Sequence, residues 1–367
     1  MVFGCRYSKD DPEFLKSVEY IGMIAEGFDD SLGNVADYFP CLKLLPFPSL
    51  TRLKIALRIR DDVMSCQLQQ HREANLKVPD LANKMVPDNL KVPDLANEMV
   101  PDLNLKVPDL ANEMVRDNLK VPDLANKRVP DLINERVPDF TTFLLRKSEQ
   151  EDVDGTALHG LEDKHLKLLM FDLFGSGVDT TVVALSWAVV YLIRWPSCQE
   201  KMLAEIENLR PNKSRIEICD FKDLPYCQAV VYETLRMCSL FPISPRKATR
   251  DTELLGYEIK KGADIVFNLW GVNHDERHWS RPYEFTPERF LDQDGKLKCL
   301  NRLSYLPFSM GRRGCPGAKI AEKEIFLILG TLLQHCEVKA SRIMPSLEPA
   351  HSVSYKPKPF TAIFAPR

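Results

Sequence analysis

One cysteine of this chain lies in a setting suited to an ionised sulfur. Cys315 stands in the glycine-rich stretch Phe308–Gly317, and a hydrophobic run from Ile325 to Leu333 follows it. Glycines on both sides permit backbone conformations in which amide groups point at the sulfur. We expect a helix to begin just after Gly317, and its positive N-terminal end would favour the thiolate. A dry, hydrogen-bonded thiolate of this kind is the environment that an iron ligand requires.

The simplest alternative is a structural cysteine buried in a glycine-rich turn. Against it, five positions complete the pattern Phe-x-x-Gly-x-Arg-x-Cys-x-Gly, namely Phe308, Gly311, Arg313, Cys315 and Gly317. This pattern resembles the haem-binding loop of the cytochrome P450 monooxygenases. The resemblance implies haem b as the cofactor, with Cys315 as the axial ligand of its iron and the other four residues in the binding loop.

Composition limits the other classes of function. The chain has 367 residues, of which 44% are hydrophobic, so it can form one large domain or two ordinary ones. Its net charge is -3, with 49 basic and 52 acidic residues, which does not suggest a nucleic-acid partner. Ten cysteines are scattered without a C-x-x-C pair. We therefore expect neither a zinc site nor a disulfide framework, but reduced cysteines facing the cytosol.

Residues 1–74 have the features of a helical segment. Asp10-Asp11-Pro12 is typical of the start of one helix, and Leu50 to Gln70 is predicted to form a second, amphipathic one. Further along, Leu166 to Ile193 is apolar, but its longest uncharged stretch is shorter than the roughly 20 residues that a membrane span needs. We interpret it as a buried core helix, and we expect no signal peptide or membrane anchor at the start of the chain.

Residues 75–139 are repetitive. The motif Asn-Leu-Lys-Val-Pro-Asp-Leu-Ala-Asn begins at Asn75, Asn89, Asn104 and Asn118. Proline in every unit limits any helix to short pieces, and periods this short do not match the helical solenoid repeats. We predict an expanded surface loop inserted into the fold. The alternative is an array of binding sites for a partner.

The apolar stretch after Leu166 contains residues that ordinarily weaken a helix. Its centre reads Phe174-Gly175-Ser176-Gly177-Val178-Asp179-Thr180-Thr181. A threonine hydroxyl can open the helical hydrogen bonds and seat a water, while a neighbouring carboxylate feeds protons. The alternative is a packing helix with a glycine notch. The stretch resembles the central helix of the cytochromes P450, which implies proton transfer by Asp179 and Thr180 and places Phe174, Ser176 and Gly177 in the substrate pocket.

An acidic and a basic residue are spaced to share a helix face. Glu233 and Arg236 could form an ordinary surface pair, but the residues around them are apolar, so a buried pair with a third partner is the alternative. The cytochrome P450 family supplies that partner from a Pro-Glu-Arg-Phe segment, which here is Pro287–Phe290. The resemblance therefore implies a structural triad of Glu233, Arg236 and Arg289 behind the haem.

Short strands follow this helix. We predict a hairpin in which Leu254–Ile259 pairs with Ile265–Asn268 around a Lys-Gly turn, and a final hairpin over Ser352–Phe364. Arg246 either binds a haem propionate, as the resemblance implies, or is solvated. His274 is expected to be structural. By the same resemblance Ile243, Ser244, Ser352 and Val353 line the substrate pocket.

Four motifs occur in the order found in the cytochromes P450: the acid–threonine helix, Glu-x-x-Arg, Pro-Glu-Arg-Phe and the cysteine loop. The implied fold is mainly α with small β-sheets, a cytochrome P450 fold that lacks its N-terminal third, with residues 140–367 as the haem-binding core. Within the family, the stretches Val272–Asp275 and Thr249–Asp251 most resemble those of the microsomal group that contains xenobiotic hydroxylases and steroid 17-alpha-hydroxylases.

The resemblance implies a monooxygenase that hydroxylates small apolar substrates, such as steroids, xenobiotics or fatty acids, with dioxygen. Electrons from NADPH would come through NADPH-cytochrome P450 reductase, with cytochrome b5 as a further candidate partner, at the cytosolic face of the endoplasmic reticulum membrane. Two alternatives stay open. One is a truncated, non-catalytic homologue or interaction protein that displays the repeats. The other is a haem-thiolate isomerase or dehydratase that needs no reductase.

Overall fold

The computed structural model describes residues 48–76, 140–149, 162–211, 215–298, 303–350 and 354–367, and isolated residues near the N terminus. Seven α-helices and eight β-strands lie in these ranges. The helices are α1 (Pro48–Leu76), α2 (Phe140–Glu149), α3 (Asp163–Arg194), α4 (Pro196–Leu209), α5 (Pro225–Cys238), α6 (Leu269–Asn273) and α7 (Ala318–His335). The strands are β1 (Ile243–Lys247), β2 (Thr252–Leu254), β3 (Tyr257–Ile259), β4 (Asp264–Asn268), β5 (Cys336–Ala340), β6 (Pro349–Ala350), β7 (Lys356–Pro357) and β8 (Ala362–Pro366).

The predicted helices are confirmed where the structure describes them. Leu50 to Gln70 lies in α1, Leu166 to Ile193 lies in α3, and α4 begins at Pro196, where proline occupies the first turn. The prediction of a mainly helical fold with small sheets is also confirmed. The predicted helix after Asp10 and the repeats of residues 75–139 fall outside the described residues, apart from four isolated helical positions near the N terminus.

Contacts divide the chain into two compact units. Among the described residues one boundary falls between Lys54 and Ile55, inside α1, and another between Asp172 and Leu173, inside α3. In the first unit, apolar residues of α1, α2 and the start of α3 are buried, among them Met64, Leu145 and Met170. Arg72 donates two hydrogen bonds to the carboxylate of Asp163, at 2.7 and 2.6 Å. These bonds lower the pKa of Asp163.

The core of the second unit lies among the later part of α3 and helices α4, α5 and α7. Tyr191 stacks on Trp187 with ring centroids 5.4 Å apart and on Phe285 at 4.9 Å. Helix α7 approaches its neighbours closely at Gly330, where an added Cβ would lie 2.8 Å from Cδ1 of Ile216. This close packing fixes α7, the helix that follows the cysteine loop, on its scaffold.

The small sheets differ from the predicted hairpins in one respect. Strands β2 and β3 form a hairpin whose turn is Leu255-Gly256, with φ of 53° and 84°, whereas β4 pairs antiparallel with β1. The prediction that Leu254–Ile259 pairs with Ile265–Asn268 was therefore wrong. A two-residue turn with positive φ at both positions closes a tight hairpin, so Leu254–Ile259 folds back on itself. Strand β4 is then left to pair with β1.

The C-terminal pairing also differs from the predicted hairpin. The flanks of the predicted turn do pair, with Ala350 opposite Lys356. The last strand, β8, pairs instead with β5, where Val338 lies opposite Phe364. The prediction of one hairpin through Phe364 was wrong, because β5 leaves the end of α7 directly beside β8.

One helix of the described part of the chain, α3, is long and apolar enough to cross a membrane by length and composition alone. Half of its most apolar stretch of 18 residues is buried inside the protein.

Candidate active site

The cysteine loop folds as a short turn that ends at α7. A single 3-10 turn covers Gly311–Arg313, and Gly311 has a φ of 73°, which favours glycine. The amide of Cys315 donates to the carbonyl of Phe308 at 2.9 Å, so the two ends of the loop are joined. Helix α7 begins at Ala318 with Gly317 as its N-cap, which confirms the predicted helix start.

The thiol of Cys315 is exposed at the N-terminal end of α7. The loop is compact at Gly314, where a Cβ would lie 3.2 Å from the carbonyl oxygen of Gly311; at Gly317 a Cβ would lie 3.9 Å from the sulfur, an ordinary contact distance. Phe308 is partly buried and packs against the core of the second unit. The loop thus presents a sulfur on a turn that is anchored by an aromatic side chain.

The structure brings Arg246 to this loop. Its Nη2 donates to the carbonyl oxygen of Arg313 at 3.3 Å, and its Nη1 donates to its neighbour Pro245 at 2.7 Å. The same strand, β1, carries the predicted pocket residues Ile243, which is exposed, and Ser244, which is half-buried. A guanidinium therefore lies at the rim of the cysteine loop, where it can meet an anionic group.

The acid–threonine segment lies in the middle of α3. The hydroxyl of Thr180 donates to the carbonyl oxygen of Ser176, and nothing lies within 4 Å of the Cβ position of Gly177. The carboxylate of Asp179 is 3.9 Å from the ammonium of Lys356, an ion pair that the sequence did not indicate. Phe174 is half-buried. The predicted pocket residues Ser352 and Val353 lie outside the described residues.

Lys356 is held beside α3 by its neighbour in the chain. The indole of Trp187 donates to the carbonyl oxygen of Tyr355 at 2.7 Å, and the amide of Tyr355 donates to the carbonyl oxygen of Leu240 at 2.8 Å. These two bonds fix the backbone just before Lys356, so its side chain starts from a defined place near Asp179.

The structure brings Glu233, Arg236 and Arg289 together. Arg236 donates to both oxygens of Glu233, at 2.8 and 2.9 Å, and Nε of Arg289 donates to Oε1 at 3.0 Å. The amide of Thr286 donates to the same oxygen at 2.9 Å. Glu233 and Arg236 are both 0% exposed. The guanidinium of Arg236 also lies 5.2 Å from the ring centroid of Trp279.

His274 is buried among aromatic rings. Its Nδ1 lies 2.9 Å from the carbonyl oxygen of Trp270, and its ring stacks on those of Trp270 and Tyr283. Burial, reinforced by the charge of Arg236, lowers the pKa of His274 to about 4. This environment suits the structural role that the sequence predicts.

The lowered pKa of His274 predicts a loss of stability in mild acid. The unfolded chain binds a proton near pH 6.5, whereas the folded chain keeps the imidazole neutral until about pH 4, so stability present above pH 6.5 is lost as pH falls between these values. Between pH 7.5 and 5.0 we expect the wild type to lose about 1 to 2 kcal/mol more than His274→Phe, allowing for solvent screening. Urea unfolding at pH 7.5, 6.0 and 5.0 measures this; equal losses in both proteins would contradict it.

This chain is similar in sequence to known proteins. The cytochrome P450 family model matches residues 1–364. A steroid 17-alpha-hydroxylase/17,20 lyase of Gallus gallus is 30% identical over 355 residues, which cover 95% of this chain and 58% of that protein. Cytochrome P450 1A1 of Homo sapiens is 31% identical over 336 residues, which cover 91% of this chain and 54% of that protein.

A solved structure shares the fold. A zebra fish cytochrome P450, whose structure was determined with progesterone, matches with a TM-score of 0.69 and 24% identity, over 100% of this chain and 68% of that one. The chain spans about 60% of the length of the curated relatives that it matches, such as the steroid 17-alpha-hydroxylase/17,20 lyase of Ictalurus punctatus, which is 28% identical. The predicted fold is confirmed, and with a family model that matches almost the whole length, the chain belongs to the cytochrome P450 family.

Proposed function

We propose that this chain forms the haem-binding part of a monooxygenase that hydroxylates small apolar molecules with dioxygen. The observation that carries the proposal is the exposed thiol of Cys315, which lies at the start of α7 in a loop closed by the bond between Cys315 and Phe308. The N-terminal end of α7 places positive potential beside the sulfur, where an iron ligand would be held. The family to which the chain belongs uses haem held by such a thiolate.

The residues at the cysteine loop fit a haem group. Cys315 would ligate the iron, and Arg246, whose guanidinium reaches the loop backbone, would bind a propionate. Ile243 beside it, and Val182 on α3, expose more than half of their apolar side chains and would contact the macrocycle or the substrate. When bound, haem supplies the redox chemistry that activates dioxygen, and the chain supplies position and protons.

Asp179 and Thr180 are proposed to supply those protons. Because the hydroxyl of Thr180 donates its hydrogen to Ser176, its oxygen keeps a lone pair with which it can accept a hydrogen bond from a water. Asp179 is partly exposed, so its carboxylate can exchange protons with solvent, and the ammonium of Lys356 lies 3.9 Å from it. Phe174, Ser176 and Gly177 precede this pair and are proposed to line the pocket.

The substrate class is proposed from the relatives. Steroid 17-alpha-hydroxylases and cytochrome P450 1A1 are among them, which supports a small apolar substrate of the steroid or xenobiotic kind. Electrons would reach the site from NADPH through NADPH-cytochrome P450 reductase, with cytochrome b5 as a second candidate donor. The location proposed is the cytosolic face of the endoplasmic reticulum membrane.

The test of the proposal is a spectrum. The chain is expressed with haem supplied, and the difference spectrum of its reduced, carbon-monoxide-bound form is recorded beside Cys315→Ala. We expect the strongly red-shifted Soret band of thiolate ligation, and we expect it to be absent from the variant. Cys219→Ala, which removes another exposed thiol, is the matched control and should keep the band. A wild type that binds no haem, or binds it with a neutral ligand, would refute the proposal and favour a non-catalytic homologue.

Proton supply is tested separately. With a substrate that is turned over and with reductase present, we expect Thr180→Ala and Asp179→Asn to lower product per NADPH by about 100-fold and to raise peroxide release, because positioned proton transfer typically contributes about 10²- to 10⁴-fold to the rate. Ser186→Ala is the matched control, since Ser186 makes the same kind of bond to Val182 two turns further along α3. Unchanged turnover in both variants would argue for an isomerase or dehydratase.

A further inference from the structure

One buried amide side chain connects the ion-pair triad to the segment that enters the cysteine loop. Asn273, the last residue of α6, is 0% exposed. Its backbone carbonyl accepts from Nη1 of Arg236 at 2.8 Å, and its side-chain oxygen accepts from the amide of Leu306 at 2.8 Å. Its side-chain nitrogen donates to the hydroxyl of Ser239 at 3.1 Å. The carbonyl and both ends of the side-chain amide are therefore hydrogen-bonded.

Leu306 lies two residues before the point at which the loop closes. Its carbonyl accepts from the amide of Ser309 at 3.2 Å, and the carbonyl of Phe308 accepts from the amide of Cys315 at 2.9 Å. The bond between the amide of Leu306 and Asn273 thus fixes the start of a short path to Cys315. The path runs through three peptide groups to the carbonyl of Phe308 and from there through one hydrogen bond to the amide of Cys315. A displacement of Leu306 would be transmitted to the sulfur.

A second bond secures the same segment from the same side. The indole of Trp279 donates to the carbonyl oxygen of Ser304 at 3.0 Å, and its ring lies under the guanidinium of Arg236. Residues 304 and 306 are therefore both tied to the surroundings of Arg236. Of these two bonds, only the bond to Asn273 has a backbone amide as its donor. Its acceptor is the one oxygen of the Asn273 side chain, so loss of that side chain leaves the half-buried amide of Leu306 without this partner.

We propose that Asn273 is a positioning residue for Cys315: it holds the entry of the cysteine loop at Leu306, so that the sulfur stays where an iron ligand must be. The expected effect on haem ligation rests on the proposed function. The expected effect on the backbone of the cysteine loop does not, because it concerns the protein alone. It predicts that the side-chain oxygen matters most, because that atom makes the bond to the loop.

The experiment compares Asn273→Ala, Asn273→Asp and Asn268→Ala with the wild type. Asn273→Asp keeps the acceptor for Leu306 and is the conservative variant. Asn268 is the N-cap of the same short helix, where its side chain accepts from the amide of Gly271 at 2.8 Å, so its loss weakens α6 without touching the loop. Two readouts are taken: hydrogen exchange at the amides of Leu306 and Cys315, and the share of thiolate-type band in the carbon monoxide spectrum.

We expect Asn273→Ala to raise hydrogen exchange at the amides of Leu306 and Cys315 by about tenfold or more, because the amide of Leu306 loses its bond to Asn273. We also expect more than half of the Soret band in the carbon monoxide spectrum to shift to the position typical of a neutral ligand. Asn273→Asp should restore both readouts most of the way, and Asn268→Ala should leave both at the wild-type level. Exchange and band share unchanged in Asn273→Ala, or changed equally in Asn268→Ala, would overturn the inference.

The two proposals fail in distinguishable ways. If the wild type shows no thiolate band, the proposed function fails, and hydrogen exchange in the haem-free chain still decides the role of Asn273. If Asn273→Ala is not recovered folded, Asn273→Asp decides it: near-wild-type exchange at Leu306 together with a normal band supports the inference, and exchange as fast as in unstructured peptide refutes it.

Discussion

Glu233→Ala is expected to lower the free energy of unfolding by about 3 to 5 kcal/mol, because it leaves a buried arginine without its counter-charge. Glu233 and Arg236 are fully buried, and Arg236 directs two donors at that one carboxylate. The substitution also removes the acceptor of Arg289 and of the amide of Thr286. No water can replace these bonds without opening the core, so the full desolvation cost of the arginine remains.

The measurement is urea unfolding of the wild type and Glu233→Ala at pH 7.5. The chain offers a matched control in Arg281 and Glu284, which have the same charges three residues apart at 2.8 Å but are exposed to solvent. Glu284→Gln should cost less than about 0.5 kcal/mol. If Glu233→Ala also cost less than about 0.5 kcal/mol, burial would not increase the contribution of the triad to the free energy of unfolding, and the prediction would be contradicted.

A double variant separates pairing from burial. Replacing a buried ion pair by apolar residues is often far less costly than breaking it. The cycle therefore uses Glu233→Met, Arg236→Met and their double variant, and the double variant should be more stable than the sum of the two single losses implies. Strict additivity would mean that the two side chains do not interact, against the distances of 2.8 and 2.9 Å.

The triad also shows how far the sequence could lead. A spacing of three residues placed Glu233 and Arg236 on one face of a helix, and the apolar residues around them indicated burial, both of which are local properties. The third member, Arg289, lies 56 positions from Glu233. Nothing in its own neighbourhood says which carboxylate it meets, and it was assigned through the family resemblance.

The same division between local and distant information explains the sheets. The start of α7 was predicted because glycine and a following hydrophobic run are signals within ten residues of each other. The pairing of β4 was predicted wrongly because the nearest strand in sequence is not its partner in space. Leu255-Gly256 contained the correct signal for the turn of the β2–β3 hairpin, but leucine rarely adopts the positive φ that it has there.

Sequence reasoning missed the residues whose partners are distant. Asn273 and Lys356 are an ordinary amide and an ordinary lysine in the sequence, and their importance comes from Leu306 and Asp179. For Asn273 a weak signal existed, because an amide side chain within an apolar helical stretch needs partners if it is buried. For Lys356 we find no signal in the sequence.

Gln199 is another such residue, and its removal carries the second large effect that we predict. The carbonyl of Leu192, near the end of α3, would ordinarily accept from the amide four residues later, but that residue is Pro196, which has none. The side-chain nitrogen of Gln199 donates to this carbonyl at 2.9 Å. It also donates to the carbonyl of Val338 at 2.8 Å, while its oxygen accepts from the amide of Val338 at 3.0 Å.

Gln199→Ala is therefore expected to cost about 3 kcal/mol, since three hydrogen bonds worth about 1 kcal/mol each are lost and three backbone groups stay buried without partners. Urea unfolding measures the cost, and hydrogen exchange at the amide of Val338 should rise with it. Glu200→Ala, one position along on the exposed side of α4, is the control and should stay within about 0.5 kcal/mol of the wild type. A loss of less than about 1 kcal/mol in Gln199→Ala would mean that water replaces the amide, and that the end of α3 and strand β5 do not depend on Gln199 to stay together.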